Sequence, residues 1–489
     1  MGIVARQSIK NTIFSYAGIV VGAVYTIFLV PVIFDARPEE WGLVQLLMSY
    51  VQILLPFALL GLPNIIIRYW HLISDNERKQ FISFLYVIGF GGLIILSSLV
   101  LILKDYLIGT NESENPLFRE YFPYIIIILA LQIFFYITLN YCRSQLKTTV
   151  PTALKDSFVK FATFFLLLSY GAGWFSFRIF FNIYVLIYLL QLLILLGYAR
   201  KITILKPSFT WEFFSNPKIK EIIIYGGFSL LAGGTVMLVQ RIDIIMISKM
   251  LTLKEVAYYS TAFFFMTAIM VPTRSIGAIA APLLSKHLQV SNFKEVKKIY
   301  LASSLNMFIF SGFVFLGVWI CVDELMIVLG DKFGQIKWVI FFLGIGKITE
   351  SLHRLNQNIL IYSRYYKWDA LLQVFLLAIT VVTNLIFIPR YGMNGAAIAS
   401  LIAIVSNQLL KAILIFFKYR IHPYNWQSSL MIALFVSVII ISGYMPQIGS
   451  PLISIASKAV IFSLFYFIII YIFKLSTDLN NVINKFLHR

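Results

Sequence analysis

Fourteen long apolar runs follow one another along the chain, and they restrict the fold to a helical membrane protein. A run of about 18 or more apolar residues is long enough to cross a bilayer as a helix. In hydrocarbon a single segment satisfies its own backbone hydrogen bonds only as a helix. The runs are residues 11–34, 42–67, 81–103, 121–141, 154–172, 178–198, 222–248, 257–283, 299–321, 338–362, 369–388, 392–417, 428–445 and 452–473. We therefore predict an all-α polytopic membrane protein with about 14 transmembrane helices.

The charge distribution predicts the orientation of these helices. The net charge of +19 is typical of a nucleic-acid-binding protein, but the basic residues lie between the apolar runs. Of the 40 Lys and Arg residues, 25 fall on the N-terminal side of the membrane and 10 on the other side. The positive-inside rule then places both termini in the cytoplasm. This pattern excludes nucleic acid as a partner.

The chain order suggests two six-helix lobes. The longest predicted cytoplasmic loop separates an N-lobe (residues 1–200, spans 1–6) from a C-lobe (residues 221–418, spans 7–12) by a linker at residues 201–220. Spans 13 and 14 and a cytoplasmic tail follow at residues 419–489. The stretches beginning at Pro38 and Leu253 resemble each other weakly, at an offset of about 215 residues. Matching span order and direction favour two parallel repeats.

The tenth predicted span contains an unusually polar stretch, Lys347 to Asn358. At about 100° per residue, its polar side chains share one helix face. They are Lys347, Glu350, Ser351, Arg354, Gln357 and Asn358, opposite Ile348, Leu352, Leu355 and Ile359. Charges at membrane depth are costly and normally face protein or a watery cavity. The stripe therefore predicts a site for a charged ligand.

Two interpretations of this stripe remain open. Glu350 and Arg354 are four residues apart, so they are expected to pair within the helix, and such a pair is compatible with a purely structural role. Lys347 is then left unpaired, which favours an anionic ligand or Asp243 as its partner. His353, at the edge of the stripe, suits either proton coupling or hydrogen-bonded packing.

Four further charged residues lie in or beside the spans. Arg241 and Asp243, near the end of the seventh span, point in nearly opposite directions and are either functional or interfacial. Arg274 follows Pro272, which leaves one backbone carbonyl of the helix without its hydrogen bond. Arg274 is a candidate phosphate contact. Arg68 is a weaker candidate of the same kind near the cytoplasmic end of the second span.

Other charged features of the sequence give weaker indications of function. We expect Lys411, close to a cytoplasmic end, only to extend to the membrane surface. His71 and Asp75 give a weak hint of acyltransferase chemistry, but no external loop is large enough for a catalytic domain. No metal site and no cofactor are predicted. The chain is expected not to be an enzyme.

Three sequence phrases resemble the polysaccharide-transporter branch of the multidrug/oligosaccharidyl-lipid/polysaccharide (MOP) exporter superfamily. The first joins Arg241-Ile-Asp243 to the Ala-Tyr-Tyr stretch that ends at Ser260. The second runs from Asp323 to Phe333, and the third from Ile388 to Ala399. Together with fourteen spans, they cover nearly the whole chain.

The resemblance implies a bacterial inner-membrane flippase similar to the Wzx-type O-antigen flippases of lipopolysaccharide biosynthesis. It implies an undecaprenyl-pyrophosphate-linked oligosaccharide as substrate, membrane lipids and other polysaccharide-assembly proteins as partners, and alternating access coupled to H⁺, Na⁺ or the membrane potential. Cations in a cavity would neutralise the pyrophosphate. The expected substrate-binding residues are Lys347, Arg354, Arg274, Arg241, Arg68, Gln357 and Asn358, with Glu350, Asp243 and His353 in coupling or tuning roles. The alternatives are a cation-coupled multidrug exporter of the same superfamily and a membrane-embedded polymerase or acyltransferase.

Overall fold

The protein is all-α, as the sequence predicts. The computed structural model describes residues 3–70, 73, 77–108, 116–202, 217–476, 479–480 and 484. All regular secondary structure within these residues is helical. The chain divides into two compact units, Met1–Ala257 and Tyr258–Arg489.

The first unit contains twelve of the described helices. In chain order they are α1 (Ile3–Val24), α2 (Val30–Ile33), α3 (Pro38–Leu59), α4 (Leu62–Tyr69), α5 (Arg78–Ile102), α6 (Lys104–Ile108), α7 (Pro116–Tyr121), α8 (Tyr124–Ser144), α9 (Thr149–Ala153), α10 (Val159–Gly171), α11 (Phe177–Ile202) and α12 (Pro217–Met250). Two π-helical turns, Tyr25–Leu29 and Leu154–Phe158, join α1 to α2 and α9 to α10.

The second unit is built from the remaining described helices. They are α13 (Leu253–Gln289), whose first turn belongs to the first unit, α14 (Phe293–Ile320), α15 (Val322–Leu329), α16 (Lys337–Leu352), α17 (Arg354–Ile361), α18 (Tyr366–Tyr419), α19 (Trp426–Ser442) and α20 (Pro451–Ile472). A 3₁₀ turn, Asp331–Ile336, precedes α16.

Helices occupy each of the fourteen predicted spans. Within the described ranges, nine helices are individually long and apolar enough to cross a membrane, and the shorter α19 is also apolar. One of the nine, α18, contains both the eleventh and the twelfth predicted spans. They meet at Gly392, whose φ of 58° and ψ of −138° favour glycine because a side chain would be strained there. The multi-pass membrane architecture is therefore confirmed.

Small residues let the helices of the first unit approach closely. Helix α3 lies against α5, α8 and α12. A Cβ atom at Gly42 would overlap the carbonyl of Leu253, and one at Gly92 would overlap the carbonyl of Ala58. Glycine is needed at both places because the opposing atoms are backbone and cannot move aside.

Helix α16 positions the polar stretch inside the second unit. It packs against α14 and α18, and α17 also packs against α18. At Gly344, a Cβ atom would overlap the ring of Phe315, so α14 and α16 are in close contact. The polar stretch therefore lies on two helices that are packed against their neighbours.

The lobe boundaries stay a prediction. Most of the predicted linker at residues 201–220 lies outside the described residues. Helix α12, the first helix of the predicted C-lobe, packs along α3 and α4 and belongs to the first compact unit.

Candidate functional site

The polar stretch from Lys347 to Asn358 is divided between two helices. Helix α16 ends at Leu352 and α17 begins at Arg354, with His353 between them at φ −103° and ψ 11°. The apolar face predicted from the sequence is buried: Ile348, Leu352, Leu355 and Ile359 are at most 6% exposed. The polar stripe is therefore interrupted by a bend, which a continuous-helix projection does not show.

One carboxylate holds two of the predicted cations. The Nζ of Lys347 lies 2.9 Å from Oε2 of Glu350. The Nη1 of Arg354 lies 3.6 Å from the other oxygen, Oε1. The predicted Glu350–Arg354 pair is present, but the expectation that Lys347 is unpaired was wrong. The side chain of Lys347 is 15% exposed and that of Arg354 is 39% exposed. Arg354 is thus the more accessible cation.

His353 closes the bend through two hydrogen bonds. Its Nδ1 is 2.9 Å from the carbonyl oxygen of Thr349, and its Nε2 is 2.7 Å from the hydroxyl of Tyr424. A carbonyl only accepts, so Nδ1 carries the proton and donates. In the neutral ring, Nε2 then accepts from Tyr424. His353 ties the bend to the segment between α18 and α19, and this packing role was one of the two predicted.

A third ion pair lies deeper in the same unit. The Nζ of Lys411 is 2.6 Å from Oδ1 of Asp369, and the two side chains are only 2% and 7% exposed. The expectation that Lys411 merely reaches the membrane surface was wrong. Both partners are on α18, before and after the bend at Gly392, which folds the two halves of the helix together. Sequence reasoning missed Asp369, although a carboxylate at the start of an apolar span was a visible signal.

These three ion pairs belong to one electrostatic network. Lys411 interacts electrostatically with both Glu350 and Arg354. The network contains the cations Lys347, Arg354 and Lys411 and the carboxylates Glu350 and Asp369. It therefore carries one net positive charge in a protein interior, where charge is poorly screened. Such a network is suited to an anion that takes the place of a carboxylate.

Other polar residues of the stretch differ in accessibility. Gln357 and Asn358 are half-buried on α17. Ser351 is fully buried and donates to the carbonyl of Lys347 at 2.8 Å. Asn356 is also fully buried and accepts a hydrogen bond from Tyr300. Gln357 and Asn358 are therefore partly accessible, whereas the other two brace the helices.

Arg274 lies on α13 in the same unit, with an exposed side chain. Helix α13 continues past Pro272 and Pro282 to Gln289 as one helix. The structure shows no contact between Arg274 and the network around Glu350 within the described residues. Arg274 remains a separate cationic position.

The remaining predicted residues belong to the first unit. The Nε of Arg241 donates to Oε1 of Gln52 at 2.7 Å, which links α12 to α3. Asp243 is buried, with 4% of its surface exposed. The side chain of Arg68 lies outside the described part of the chain, as do His71 and Asp75. Asp243 is therefore buried and Arg241 half-buried within the first unit.

The first unit also contains a carboxylate that sequence reasoning passed over. Asp156 lies in the π-helical turn between α9 and α10 and accepts a hydrogen bond from Ser15 of α1 at 2.6 Å. Gln191 of α11 donates to the carbonyl of Leu154 in the same turn, at 2.9 Å. π-helical turns often occur at functional sites. The first span itself has no charged residue, but its neighbour supplies the half-buried Asp156.

Solved structures share this architecture. A lipid II flippase MurJ in an inward closed conformation superimposes with a TM-score of 0.68, covering 95% of this chain and 100% of MurJ at 14% identity. An inward-facing multidrug resistance MATE family transporter of the MOP superfamily gives a TM-score of 0.63, covering 83% of this chain and 98% of that transporter at 13% identity.

The chain has the fold of the MOP-superfamily transporters. The resemblance predicted from the sequence is thereby confirmed at the level of the fold. A MOP-superfamily transporter from Pyrococcus furiosus, described as having a binding pocket of reversed polarity, gives a TM-score of 0.54 at 12% identity, covering 85% of this chain and 95% of that one.

Sequence similarity is more limited. A segment of 210 residues is 23% identical to the probable low-salt glycan biosynthesis flippase Agl15 of Haloferax volcanii. The match covers 42% of this chain and 43% of that relative, so it spans less than half of either protein. No protein-family model matches the sequence.

Proposed function

We propose that the protein is a flippase that moves an undecaprenyl-pyrophosphate-linked oligosaccharide, such as an O-antigen repeat unit, from the cytoplasmic to the outer leaflet of a bacterial inner membrane by alternating access. The observation that carries this proposal is the network around Glu350, with its excess of cations over carboxylates. The fold shared with a lipid II flippase and the partial match to a glycan biosynthesis flippase support the substrate class.

A pyrophosphate group fits the chemistry of this network. Guanidinium and ammonium groups make charge-assisted hydrogen bonds to phosphate oxygens, and arginine can grip two of them at once. Arg354 is accessible, and its Nη1 lies 3.6 Å from Oε1 of Glu350, which is longer than a hydrogen bond, so the existing ion pair is loose. We expect the pyrophosphate to displace Glu350 from Arg354 first and then from Lys347. Gln357 and Asn358 are available on the next turn for sugar hydroxyls.

Displacement of Glu350 also suggests how transport is coupled. A carboxylate that loses two cationic partners in a desolvated site binds a proton more readily. Substrate entry would therefore be accompanied by proton uptake at Glu350. Under this proposal Lys411 and Asp369 stay paired and keep the local charge balanced. Arg274, Arg241 and Asp243 are expected to act at other steps of the transport cycle, and the same role is proposed for Arg68.

The test uses variants that change the network in opposite directions. Lys347→Gln/Arg354→Gln removes both displaceable cations, whereas Glu350→Gln releases them from their carboxylate. The variants are expressed in cells from which the wild-type gene for this protein is deleted. We expect cells that contain the first variant at normal protein level to lack surface polysaccharide. Charge-assisted hydrogen bonds contribute roughly 1.5–3 kcal/mol each, so binding of undecaprenyl pyrophosphate to purified protein should fall at least about tenfold.

The matched variant gives the opposite result under this proposal. Glu350→Gln should bind undecaprenyl pyrophosphate at least as tightly as the wild type and lose the dependence of binding on pH. Full surface polysaccharide from Lys347→Gln/Arg354→Gln at wild-type protein level would refute the site. Weaker binding by Glu350→Gln would refute the displacement step.

The second candidate is a cation-coupled multidrug exporter, which the MATE-like fold favours. A network with a net positive charge repels organic cations, so we expect the chain to give no resistance to ethidium in a drug-sensitive host. Resistance that disappears in Glu350→Gln would favour this candidate instead. The polymerase or acyltransferase alternative has no catalytic cluster to support it among the described residues.

A further inference from the structure

Three segments of the second unit converge on one surface that shares no residue with the polar stripe. They are residues 293–300 at the start of α14, residues 362–368 from the end of α17 into the first turn of α18, and residues 417–422 at and just beyond the end of α18. The ring of Phe293 lies 5.1 Å from that of Tyr419, and the ring of Tyr365 lies 5.8 Å from the same tyrosine. We call these three segments together the basic-aromatic patch.

The patch is strongly cationic. It contains seven exposed basic side chains, Lys294, Lys297, Lys298, Arg364, Lys367, Lys418 and Arg420, and one acidic side chain, the half-buried Glu295. Within the described part of the chain, none of the seven is held by a salt bridge. Their charge is therefore available to a ligand.

The aromatic rings hold some of these cations in place. The guanidinium of Arg364 lies 5.1 Å from the ring centre of Tyr365, and the Nζ of Lys418 lies 5.3 Å from the same centre. Tyr365 and Tyr419 pack against a buried apolar cluster that includes Tyr300. Cation–π contacts orient a cation without neutralising it. Two positive charges are thus fixed beside one rigid ring.

The surroundings of the patch point to a membrane surface. Tyr366, Trp368 and Phe293 are 54%, 50% and 38% exposed, and apolar spans begin immediately beyond them. Aromatic residues at span ends lie at the level of the lipid headgroups, and adjacent Lys and Arg residues attract anionic lipids. A ligand in this position has a phosphate group near the ring edges and acyl chains beside the spans.

We propose that the basic-aromatic patch binds the phosphate headgroups of anionic phospholipids. Three helix ends supply the cations, so one lipid headgroup would be held by side chains that are far apart in sequence. The positive-inside orientation places the patch on the cytoplasmic leaflet. This proposal is independent of the transported substrate, because the patch does not include the network around Glu350.

The test compares lipid binding by matched triple variants of the full chain. Arg364→Gln/Lys418→Gln/Arg420→Gln removes three cations from the patch. Lys147→Gln/Arg200→Gln/Lys201→Gln removes three exposed cations from the first unit. Delipidated protein in detergent is mixed with phosphatidylglycerol or phosphatidylcholine, and the bound lipids are counted by native mass spectrometry. Thermal unfolding of each variant checks that it is folded.

We expect the wild type to retain phosphatidylglycerol over phosphatidylcholine, and the patch variant to bind phosphatidylglycerol at least about fivefold more weakly. The first-unit variant should keep wild-type binding. Equal retention of the two lipids by the wild type, or equal losses in both variants, would overturn the proposal. Displacement of phosphatidylglycerol by millimolar inorganic phosphate would show a site for soluble phosphate, and would overturn the assignment to lipid.

Discussion

Removing Lys411 should destabilise the protein far more than removing Lys337, a half-buried lysine whose aspartate partner is exposed. Lys411 and Asp369 are 2.6 Å apart and at most 7% exposed. Lys337 and Asp323 are 2.5 Å apart, but their side chains are 31% and 63% exposed. The two pairs have nearly the same geometry, so comparing them isolates the effect of burial.

The expected magnitude follows from the distance and the burial. At 2.6 Å and an effective dielectric constant of about 20, the attraction between the two charges is roughly 6 kcal/mol. Desolvation offsets much of this while the pair is intact. Once Lys411 is replaced by methionine, Asp369 keeps the desolvation cost without its partner. We therefore expect Lys411→Met to lower the free energy of unfolding by about 3–5 kcal/mol.

The assay is equilibrium unfolding of the purified protein in mixed micelles titrated with sodium dodecyl sulfate. Lys337→Met is the control and should cost no more than about 1 kcal/mol. The double variant Lys411→Met/Asp369→Leu replaces both charges by apolar groups. It should recover at least about 2 kcal/mol relative to Lys411→Met, because no unpaired charge is left.

Two results would refute the reasoning. If Lys411→Met costs no more than Lys337→Met, water reaches Asp369 and the pair is not desolvated. If the double variant is as unstable as Lys411→Met, the loss of stability comes from packing around the aliphatic part of Lys411 and not from the unpaired carboxylate of Asp369. Retained secondary structure by circular dichroism ensures that each comparison starts from a folded protein.

Two further predictions concern helix packing and pH. Gly92→Ala should lower the free energy of unfolding by about 1–3 kcal/mol, because its Cβ would overlap a carbonyl of α3. Gly91→Ala has open space around it and should be neutral or stabilising by up to about 1 kcal/mol. The same unfolding titration measures both variants. Burial alone would raise the pKa of Glu324 in α15, but hydrogen bonds from Lys458 and Ser454 outweigh it and hold the pKa below its ordinary value. This carboxylate therefore stabilises the fold above the unfolded-state pKa, and its contribution is lost as the pH falls through the folded-state pKa. Unfolding titrations from pH 7 downward should show the advantage of the wild type over Glu324→Gln shrinking once the pH falls below the ordinary glutamate pKa of 4.5. It should vanish below the lower folded-state pKa, and an advantage that grows on acidification would contradict the assignment.

Much of the candidate site was visible in the sequence as a set of residues, but not as a set of contacts. The helical period placed Lys347, Glu350 and Arg354 on one face, and the structure brings them together. The period did not show that Lys347 is the nearer partner of Glu350, since three- and four-residue spacings are equally compatible with pairing. It also gave no sign of the bend at His353, which hydrogen bonds to Thr349 and Tyr424 stabilise.

The sequence by itself determined the membrane class, the helical fold and the position of every apolar span, because hydrocarbon imposes length and polarity on each segment locally. Only the tertiary structure decided which charges are paired. Lys411 meets Asp369 across 42 residues, and Asp156 meets Ser15 across 141. Such partners are chosen by how distant helices pack, and the bend at Gly392 is what brings the two halves of α18 together. Apolar length is a property of one segment, whereas charge compensation at membrane depth is a property of the packed helices.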